Sequence, residues 1–563
     1  MDNYQIADQF SLLSKLMDIH GENSFKSKSY ASAAFAIEKL PMPLSEIAAE
    51  KIAEIKGIGS SSAQKIIELL QTGKLDVLEK IILSTPPGVI EMLNIKGIGP
   101  KKINTIWKEM ELETLGELLY ACKENRLKLY KGFGEKTQQS VIDNIEFYFK
   151  NKGSFLYAQV EDAVQLIEML LSKVFTGRKI ILTGEFKRQL EIINELAFIV
   201  EEEIAIIENT LLGVDAFSLI ERNEKDLLFN SSSGFKLRSN SSSGFKLRIF
   251  SSDKNNIVST LLQTSSSEPF FEALKVEHLN MKVADEAVFF NFNNISFIPA
   301  YAREDAATLE IAKNGALPVP IEATDIKGII HCHSNWSDGS NTIEEMATAA
   351  INLGLEYLAI SDHSKTAFYA QGLSEERIRA QHKYIDELNV KFAPFKIFKS
   401  IESDILSDGS LDYDEEILKS FDLVIASIHS NLKMTEEKAM MRLINAIENP
   451  YTHILGHMTG RLLLSRPGYP VNHEKIIDAC AANNVAIELN ANPSRLDIDW
   501  RFIKKALDKN VLISINPDSH SADTLMHTRY GVKVAQKALL TKEQNLSSFS
   551  LAAFEDYLAT HKK

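Results

Sequence analysis

At 563 residues, with 45% hydrophobic and 25% charged side chains, the chain is long enough for several globular domains that each bury a core of their own. No apolar run reaches membrane-spanning length, and Met1-Asp2-Asn3-Tyr4 lacks a basic stretch leading into an apolar one, so no membrane partner and a cytoplasmic protein are expected. Three widely spaced cysteines, Cys122, Cys332 and Cys480, argue against a disulfide framework, and the net charge of −14 argues against indiscriminate nucleic-acid binding while leaving room for local phosphate contacts.

From residue 1 to about 150 the chain reads as helix throughout. One phrase recurs there: Ile55-Lys56-Gly57-Ile58-Gly59, Ile95-Lys96-Gly97-Ile98-Gly99 and, more loosely, Tyr130-Lys131-Gly132-Phe133-Gly134. Each copy opens a new amphipathic helix, as at 63–70 and 101–109. Glycines at alternate positions let the backbone turn tightly with its amides exposed, and the following helix N-terminus adds positive partial charge. A phosphate can be held there without any base being read. The phrases resemble tandem helix-hairpin-helix motifs that grip the DNA backbone. That resemblance makes Gly57, Gly59, Lys65, Gly97, Gly99 and Lys101 candidate DNA contacts and divides the region into 1–80 and 81–150.

Residues 151–315 carry strand-like runs at 179–183, 196–200, 246–250 and 287–292, which suggest an α+β domain. The phrase Leu182-Thr183-Gly184-Glu185-Phe186-Lys187-Arg188, together with Phe297-Ile298-Pro299 and Arg303-Glu304-Asp305, resembles the palm and its surroundings in bacterial-type family X DNA polymerases. A polymerase palm needs carboxylates to hold two metal ions. Where that family has Gly-Asp-x-Asp, this chain has Asn194-Glu195-Leu196-Ala197, and where a third aspartate is expected it has Lys236 or Lys246. Glu185 replaces a serine expected to cradle triphosphate, and Thr264-Ser265-Ser266 replaces Thr-Gly-Ser. The palm therefore reads as a scaffold without polymerase chemistry. The same resemblance places Lys65 where family X members carry a Schiff-base lysine acting on abasic-site sugars, although plain phosphate binding would ask for a lysine as well. The words 230–238 and 240–248 are identical, and the repeat reads as a duplication without function.

Periodicity is lost over 301–324, which contains Leu317-Pro318-Val319-Pro320 and reads as a linker. Beyond it, residues 325–563 hold seven apolar runs, most of which end in a side chain able to bind metal. The first leads to His331-Cys332-His333, with Asp338 shortly after. Runs at 357–360, 397–401, 423–428 and 454–456 lead to Asp362-His363, Glu402, His429 and His457. Runs at 485–489 and 511–515 lead to Asn490 and to Asp518 and His520. Helical segments alternate with the runs, so parallel βαβ units closing into a seven-stranded barrel are expected, with the strand ends gathered at one mouth. Residues i and i+2 of a strand share a face, so His331 and His333 can point together while Cys332 turns away to pack. Ten of the thirteen histidines lie between His331 and His527, a concentration that a scatter of core histidines does not produce.

His331-Cys332-His333, Ser337-Asp338-Gly339, Ser361-Asp362-His363, Glu402, His429-Ser430, Gly456-His457 and Asp518-Ser519-His520 resemble the motif series of the PHP (polymerase and histidinol phosphatase) domain. With the palm and hairpin phrases, the resemblance to a family X polymerase bearing a C-terminal PHP domain covers nearly the whole chain. It implies one ion on His331, His333, Glu402 and Asp518, a second on Glu402, His429 and His457, and a third on Asp338, His363 and His520. Glu402, Asp518 and His457 are the candidate catalytic positions. Imidazole and carboxylate ligation without thiolate suits manganese, zinc or iron, with manganese or zinc expected. Arg461 and Arg466, in the loop after His457, are candidates for substrate phosphate. The expected function is metal-dependent phosphoester hydrolysis on DNA, as a 3′-to-5′ exonuclease or 3′-end processing enzyme in repair. A histidinol-type small-molecule phosphatase and a silent DNA-binding scaffold are the alternatives.

Overall fold

The computed structural model describes residues 2–40, 42–123, 125–231, 244–274, 282–315 and 317–561. The chain divides into two compact units, Met1–Lys152 and Gly153–Lys563. Among the described residues no helix is long and apolar enough to cross a membrane.

The first unit is all helical. Helix Asn3–His20 is capped by the Asp2 carboxylate and ends at Gly21 in the left-handed region, which turns the chain into Ser24–Glu38. The three glycine phrases adopt one geometry. Gly57, Gly97 and Gly132 have φ of +95°, +89° and +91°, values that L side chains rarely take. Gly59, Gly99 and Gly134 are extended and cap the helices that begin at Ser60, Pro100 and Glu135. A single apolar core runs from Ile6 to Ile145, so the expected division near residue 80 falls inside one packed unit.

In the second unit, strands β1 (Phe155–Leu156) and β3 (Ile192–Ile193) pair as a short ribbon. The palm-like sheet consists of β2 (Ile180–Thr183), β4 (Glu195–Val200), β5 (Phe217–Arg222), β6 (Asp226–Ser231) and β7 (Lys246–Ser251), in the order β2-β4-β7-β6-β5. Two expectations are corrected here. The run 287–292 is not a strand but the helix Glu286–Phe292: the Asp285 carboxylate caps it, and its adjacent Phe289 and Phe290 are both buried, which an alternating strand with one buried face would not allow. The region expected as a linker contains the helix Ala306–Asn314, capped by Asp305 and burying Leu309 and Ala312. Of the repeated words, Asn230 and Ser231 end β6 and Lys246 begins β7, while residues 232–243 lie outside the described residues.

The barrel is made of β8 (Gly328–Cys332), β9 (Tyr357–Ile360), β10 (Lys396–Asp404), β11 (Leu423–Ser427), β12 (Ile454–Leu455), β13 (Ala486–Asn490) and β14 (Ile513–Asn516). These seven strands are sequential neighbours, and every pairing is parallel. The His333 N–H donates to Ser519 O at 2.7 Å, which brings the chain after β14 back against the end of β8 and nearly closes the ring. Ile330, Ala359, Ile425 and Ala486 share a core with Phe554 and Leu558 of the C-terminal helix Leu551–His561. Phe554 stacks on Tyr357, the first residue of β9, with ring centroids 4.7 Å apart. That helix seals the end where the strands begin, leaving the other end for chemistry. Palm and barrel are tied within the unit: Glu161 accepts from Arg529 and from the Tyr530 hydroxyl, each at 2.7 Å, and buried Lys537 donates to Arg188 O at 2.9 Å.

Candidate metal centre

All nine expected metal-binding residues meet at the C-terminal ends of the barrel strands. Glu402, at the end of β10, is the hub. Its Oε1 lies 3.3, 3.1 and 3.0 Å from the Nε2 atoms of His331, His429 and His457, and its Oε2 lies 3.0 Å from His363 Nδ1 and 3.7 Å from His333 Nε2. Asp518 Oδ1 stands 3.2 Å from His333 Nε2, and Asp338 Oδ1 stands 3.6 and 3.4 Å from His363 and His520. Three groups of ligand atoms converge closely enough to hold an ion: His331, His333 and Asp518; His363, Glu402 and His429; and His333, Asp338, His363 and His520. His457 enters through Glu402.

The donor set fits divalent metal. His331 Nε2, both ring nitrogens of His333, His363 Nδ1 and Glu402 Oε2 are buried without a hydrogen-bond partner among the described residues. Each such atom costs about 1–3 kcal/mol unless a cation or proton satisfies it. Cys332 turns away, donating its thiol to Ala359 O at 3.4 Å, and all three cysteines are buried and unpaired with one another.

Burial and the opposite charges of acids and imidazoles push the members of this cluster in different directions. Burial alone would raise the Glu402 carboxyl, but His429, His331 and His363 hold it well below the carboxylate range. Burial opposes charge on His429 too, yet Glu402 and the Asp404 hydrogen bond lift it to about 10. Burial likewise disfavours a charged His520, which its bond to Asp338 lifts to about 9. His333, buried beside His520 and His363, falls to about 3.

Behind the ligands stand residues that strand-end reading missed. Glu488, fully buried in β13, accepts from His331 Nδ1 at 2.6 Å, from the His457 N–H at 2.7 Å and from Asn516 at 2.9 Å. Asp404 lies 2.5 Å from His429 Nδ1. Both fix ring orientation as carboxylate partners of ligating histidines do. An acid in the middle of an apolar run was the available signal for Glu488. Asp362, adjacent to ligand His363, points elsewhere: it accepts from the Ser334 N–H and hydroxyl, the Ser337 hydroxyl and Gln381, pinning the turn that presents Asp338. Asn490 donates to Asp518 at 3.0 Å.

The arginines are used differently from what the sequence suggested. Arg461 spends its guanidinium on Asp499 at 2.7 Å, on Arg495 O at 3.0 Å and on Leu496 O, which makes it a loop strut rather than an open phosphate hook. Arg466 gives two nitrogens to Gly460 O at 3.1 and 2.7 Å. Arg495 is the cation that faces the centre, its Nε 3.4 Å from Asp518 Oδ2. A cavity of about 550 Å³ opens there beside Asp518 and His520, walled by Leu463 and Arg495 of the barrel and by Leu156 and Gln159 at the start of the palm. Leu464 and Asp518, which line it, take φ of 57° and 51°, a strain of about 1–3 kcal/mol each.

In the first unit, Gly57, Gly59, Gly97 and Gly99 form the hairpin turns described above, and Lys101 is exposed in the first turn after Gly99. Lys65 pairs with Glu68 at 2.5 Å. In the palm, β4 runs parallel to β7 with Glu195 opposite Lys246 and Ala197 opposite Arg248. Lys246 therefore takes the place beside Glu195, and Lys236 lies outside the described residues. Arg248 grips Glu195 through Nε at 2.6 Å and Nη2 at 3.0 Å, and reaches Asp226 at 2.5 Å. Glu185 accepts from the Asn194 N–H at 2.5 Å and from the Asn194 side chain at 3.0 Å.

Comparison with known proteins finds matches to three families and to whole-length and partial relatives. A helix-hairpin-helix domain family matches residues 1–75, a SAM-like helix-hairpin-helix tandem matches 89–146, and the PHP domain matches 330–492. A probable phosphatase of Caldanaerobacter subterraneus subsp. tengcongensis is 34% identical over 249 residues, covering 41% of this chain and 91% of its own. A probable phosphatase of Thermoanaerobacter sp. is 29% identical over 247 residues, covering 41% of this chain and 94% of its own. The DNA polymerase/3′-5′ exonuclease PolX of Bacillus subtilis is 32% identical over 554 residues, 96% of each chain. With that identity sustained over 96% of both chains, and with helix-hairpin-helix and PHP families matching its two ends, the chain belongs to the family of bacterial PolX-type DNA polymerases/3′-5′ exonucleases.

Proposed function

We propose that this chain is a metal-dependent 3′-to-5′ exonuclease on DNA whose palm no longer extends primers. The observation that carries the first half is the Glu402 hub, with five imidazoles around one buried carboxylate and its Oε2 left without a hydrogen bond. Two or three divalent ions, manganese or zinc by ligand type, would supply a hydroxide at neutral pH and stabilise charge on a phosphoester. His331, His333, Glu402 and Asp518 would hold one, with His429 and His457 sharing Glu402 and with Asp338, His363 and His520 forming the outer site. Glu402, Asp518 and His457 are assigned the catalytic positions. Arg495 holds a guanidinium where the substrate phosphate enters, while Glu488 and Asp404 hold the histidine rings in register. The helix-hairpin-helix turns supply backbone amides for DNA phosphates that carry no sequence information.

The second half rests on the palm. Glu195 is taken by a bidentate guanidinium, Ala197 offers no ligand, and Lys246 adds positive charge where a cation would have to bind. The Bacillus subtilis relative bears both activities in its name, so primer extension is the direct test. The experiment is incubation of 3′- and 5′-end-labelled DNA with a panel of divalent metals, with and without nucleoside triphosphates, and analysis of product ends. Stepwise release of mononucleotides from the 3′ end is expected, without extension. Release of inorganic phosphate alone from 3′-phosphorylated ends would favour the 3′-end phosphatase reading, to which the phosphatase relatives of the barrel lend support.

A further inference from the structure

The loop that leaves ligand His363 carries two large rings into solvent: Phe368 is 86% exposed and Tyr369 61%. The loop is pinned at its base. The Leu373 N–H donates to His363 O at 2.8 Å and so closes the two ends on each other. Thr366 donates its N–H to Asp412 at 2.7 Å and its hydroxyl to Asp404 and Asp412 at 2.9 Å, and the Lys365 N–H donates to the Tyr413 hydroxyl at 3.1 Å. Gly372 is required by the closure, since a Cβ there would fall 1.9 Å from Ser364 O. Two aromatic rings held in water on a fixed loop are an unpaired apolar surface that folding does not use. The base of the loop is tied to the metal centre through His363 and through Asp404, which also holds the His429 ring. Burial and then the charges of Asp404, Glu402 and Asp338 push the Tyr369 phenol up to about 12, opposed by Arg495.

We propose that Phe368 and Tyr369 form a stacking platform for unpaired bases of the DNA strand whose 3′ end enters the metal centre. The inference rests on the exonuclease reading and adds to it the side chains that hold the unpaired end. The ring centroids lie 5.9 Å apart with planes 79° to each other, so the rings cannot sandwich one base and each takes its own. A base within a duplex has both faces covered by its neighbours and offers nothing to such a surface, whereas unpaired bases stack on aromatic side chains regardless of sequence. The pinned base fixes the platform relative to His363, so a strand lying on it is delivered to the ions at a set distance.

The test uses the full-length protein and Phe368→Ala, Tyr369→Ala, the double variant and the conservative Tyr369→Phe. Hydrolysis of bis(p-nitrophenyl) phosphate, which has no base, reports the metal centre alone. A single-stranded oligonucleotide is then assayed as substrate and as inhibitor of that small-ester reaction, alongside an oligonucleotide whose terminal nucleotides lack bases. Each alanine should raise KM for the oligonucleotide about tenfold, with kcat and small-ester hydrolysis unchanged and with Tyr369→Phe close to the parent. The base-free strand should lose as much with the parent protein and no more with the double variant. An unchanged KM in the double variant overturns the platform. So does an equal loss on the small ester, or a change of oligomeric state with DNA handling intact, which would seat a second copy on the rings. If the parent protein cleaves the small ester but no DNA, the exonuclease reading itself fails. The platform is then judged by inhibition: the oligonucleotide must inhibit the parent protein about tenfold more tightly than the double variant.

Discussion

The barrel centre and the palm-like sheet both place acids on strands, but give them different partners. In the barrel Glu402 is ringed by imidazoles, weak bases that can give up a proton and turn a lone pair to an ion. In the palm Glu195 is held by Arg248, whose guanidinium has its already high pKa raised further by the hydrogen bond to Glu195 and does not deprotonate. A carboxylate's partner decides its availability. Histidine can yield the acid to a cation, whereas Arg248 competes with a cation for Glu195.

The largest effects should come from breaking the barrel half of that contrast. Glu402→Ala, His331→Ala or Asp518→Ala should bring hydrolysis of DNA and of small phosphoesters to background and remove bound metal, measured by elemental analysis, while circular dichroism and melting behaviour stay native. Removal of metal by a chelator should do the same to the parent protein, with activity returning on addition of manganese or zinc. Full activity in these variants, or an active protein free of metal, would dissolve the comparison.

The palm half is sharpened by primer extension. No nucleotide addition with magnesium or manganese is expected from the parent protein, and Glu195→Ala should change nothing in that assay. Extension that depends on Glu195 would show that Arg248 releases the acid when substrate binds.

An intermediate effect is expected one layer behind the ligands. Glu488→Ala removes the acceptor for the His331 ring and the His457 N–H, and outer carboxylate partners of this kind are worth about 10–100-fold in metal affinity or activity. Competition with a chelator of known affinity would measure it. The variant should regain activity at raised metal concentration, which a merely misfolded protein would not.

How much of this could be read in the sequence follows from where the information sits. The convergence of the candidate ligands was legible because strand periodicity fixes which way His331 and His333 point, and because imidazoles and carboxylates at strand ends have few structural uses. Glu488 was not, since an acid inside Val-Ala-Ile-Glu-Leu shows nothing of the rings it will meet across the barrel. Ala197 is visible in the sequence, but the pairing of Glu195 with Arg248 depends on the register of two strands far apart in the chain. Identical repeats left Lys236 and Lys246 indistinguishable because side-chain pattern was the only guide. The run 287–292 is too short for periodicity to separate helix from strand, and only the Asp285 cap marked it. Arg461 and Arg466 followed a ligand in sequence, yet carbonyls within the loop claimed them.

The smallest effect concerns substrate capture. A cut at residue 325 would strip the barrel of Glu161 and of the palm surface that covers Lys537, so the informative truncation is 153–563, which keeps one whole compact unit. It should hydrolyse small esters like the intact chain, because every ligand remains. On DNA it should lose roughly tenfold or more, carried by KM, because linking a second binding module raises apparent affinity without touching the chemical step. The hairpin turns at Gly57 and Gly97 act through backbone phosphates, so the intact protein's DNA affinity should fall steeply with added salt while small-ester hydrolysis changes little. The truncated protein should show the shallower salt slope. Equal slopes and equal KM values would take the hairpins out of substrate capture and leave the barrel, with its aromatic rim and Arg495, to hold DNA by itself.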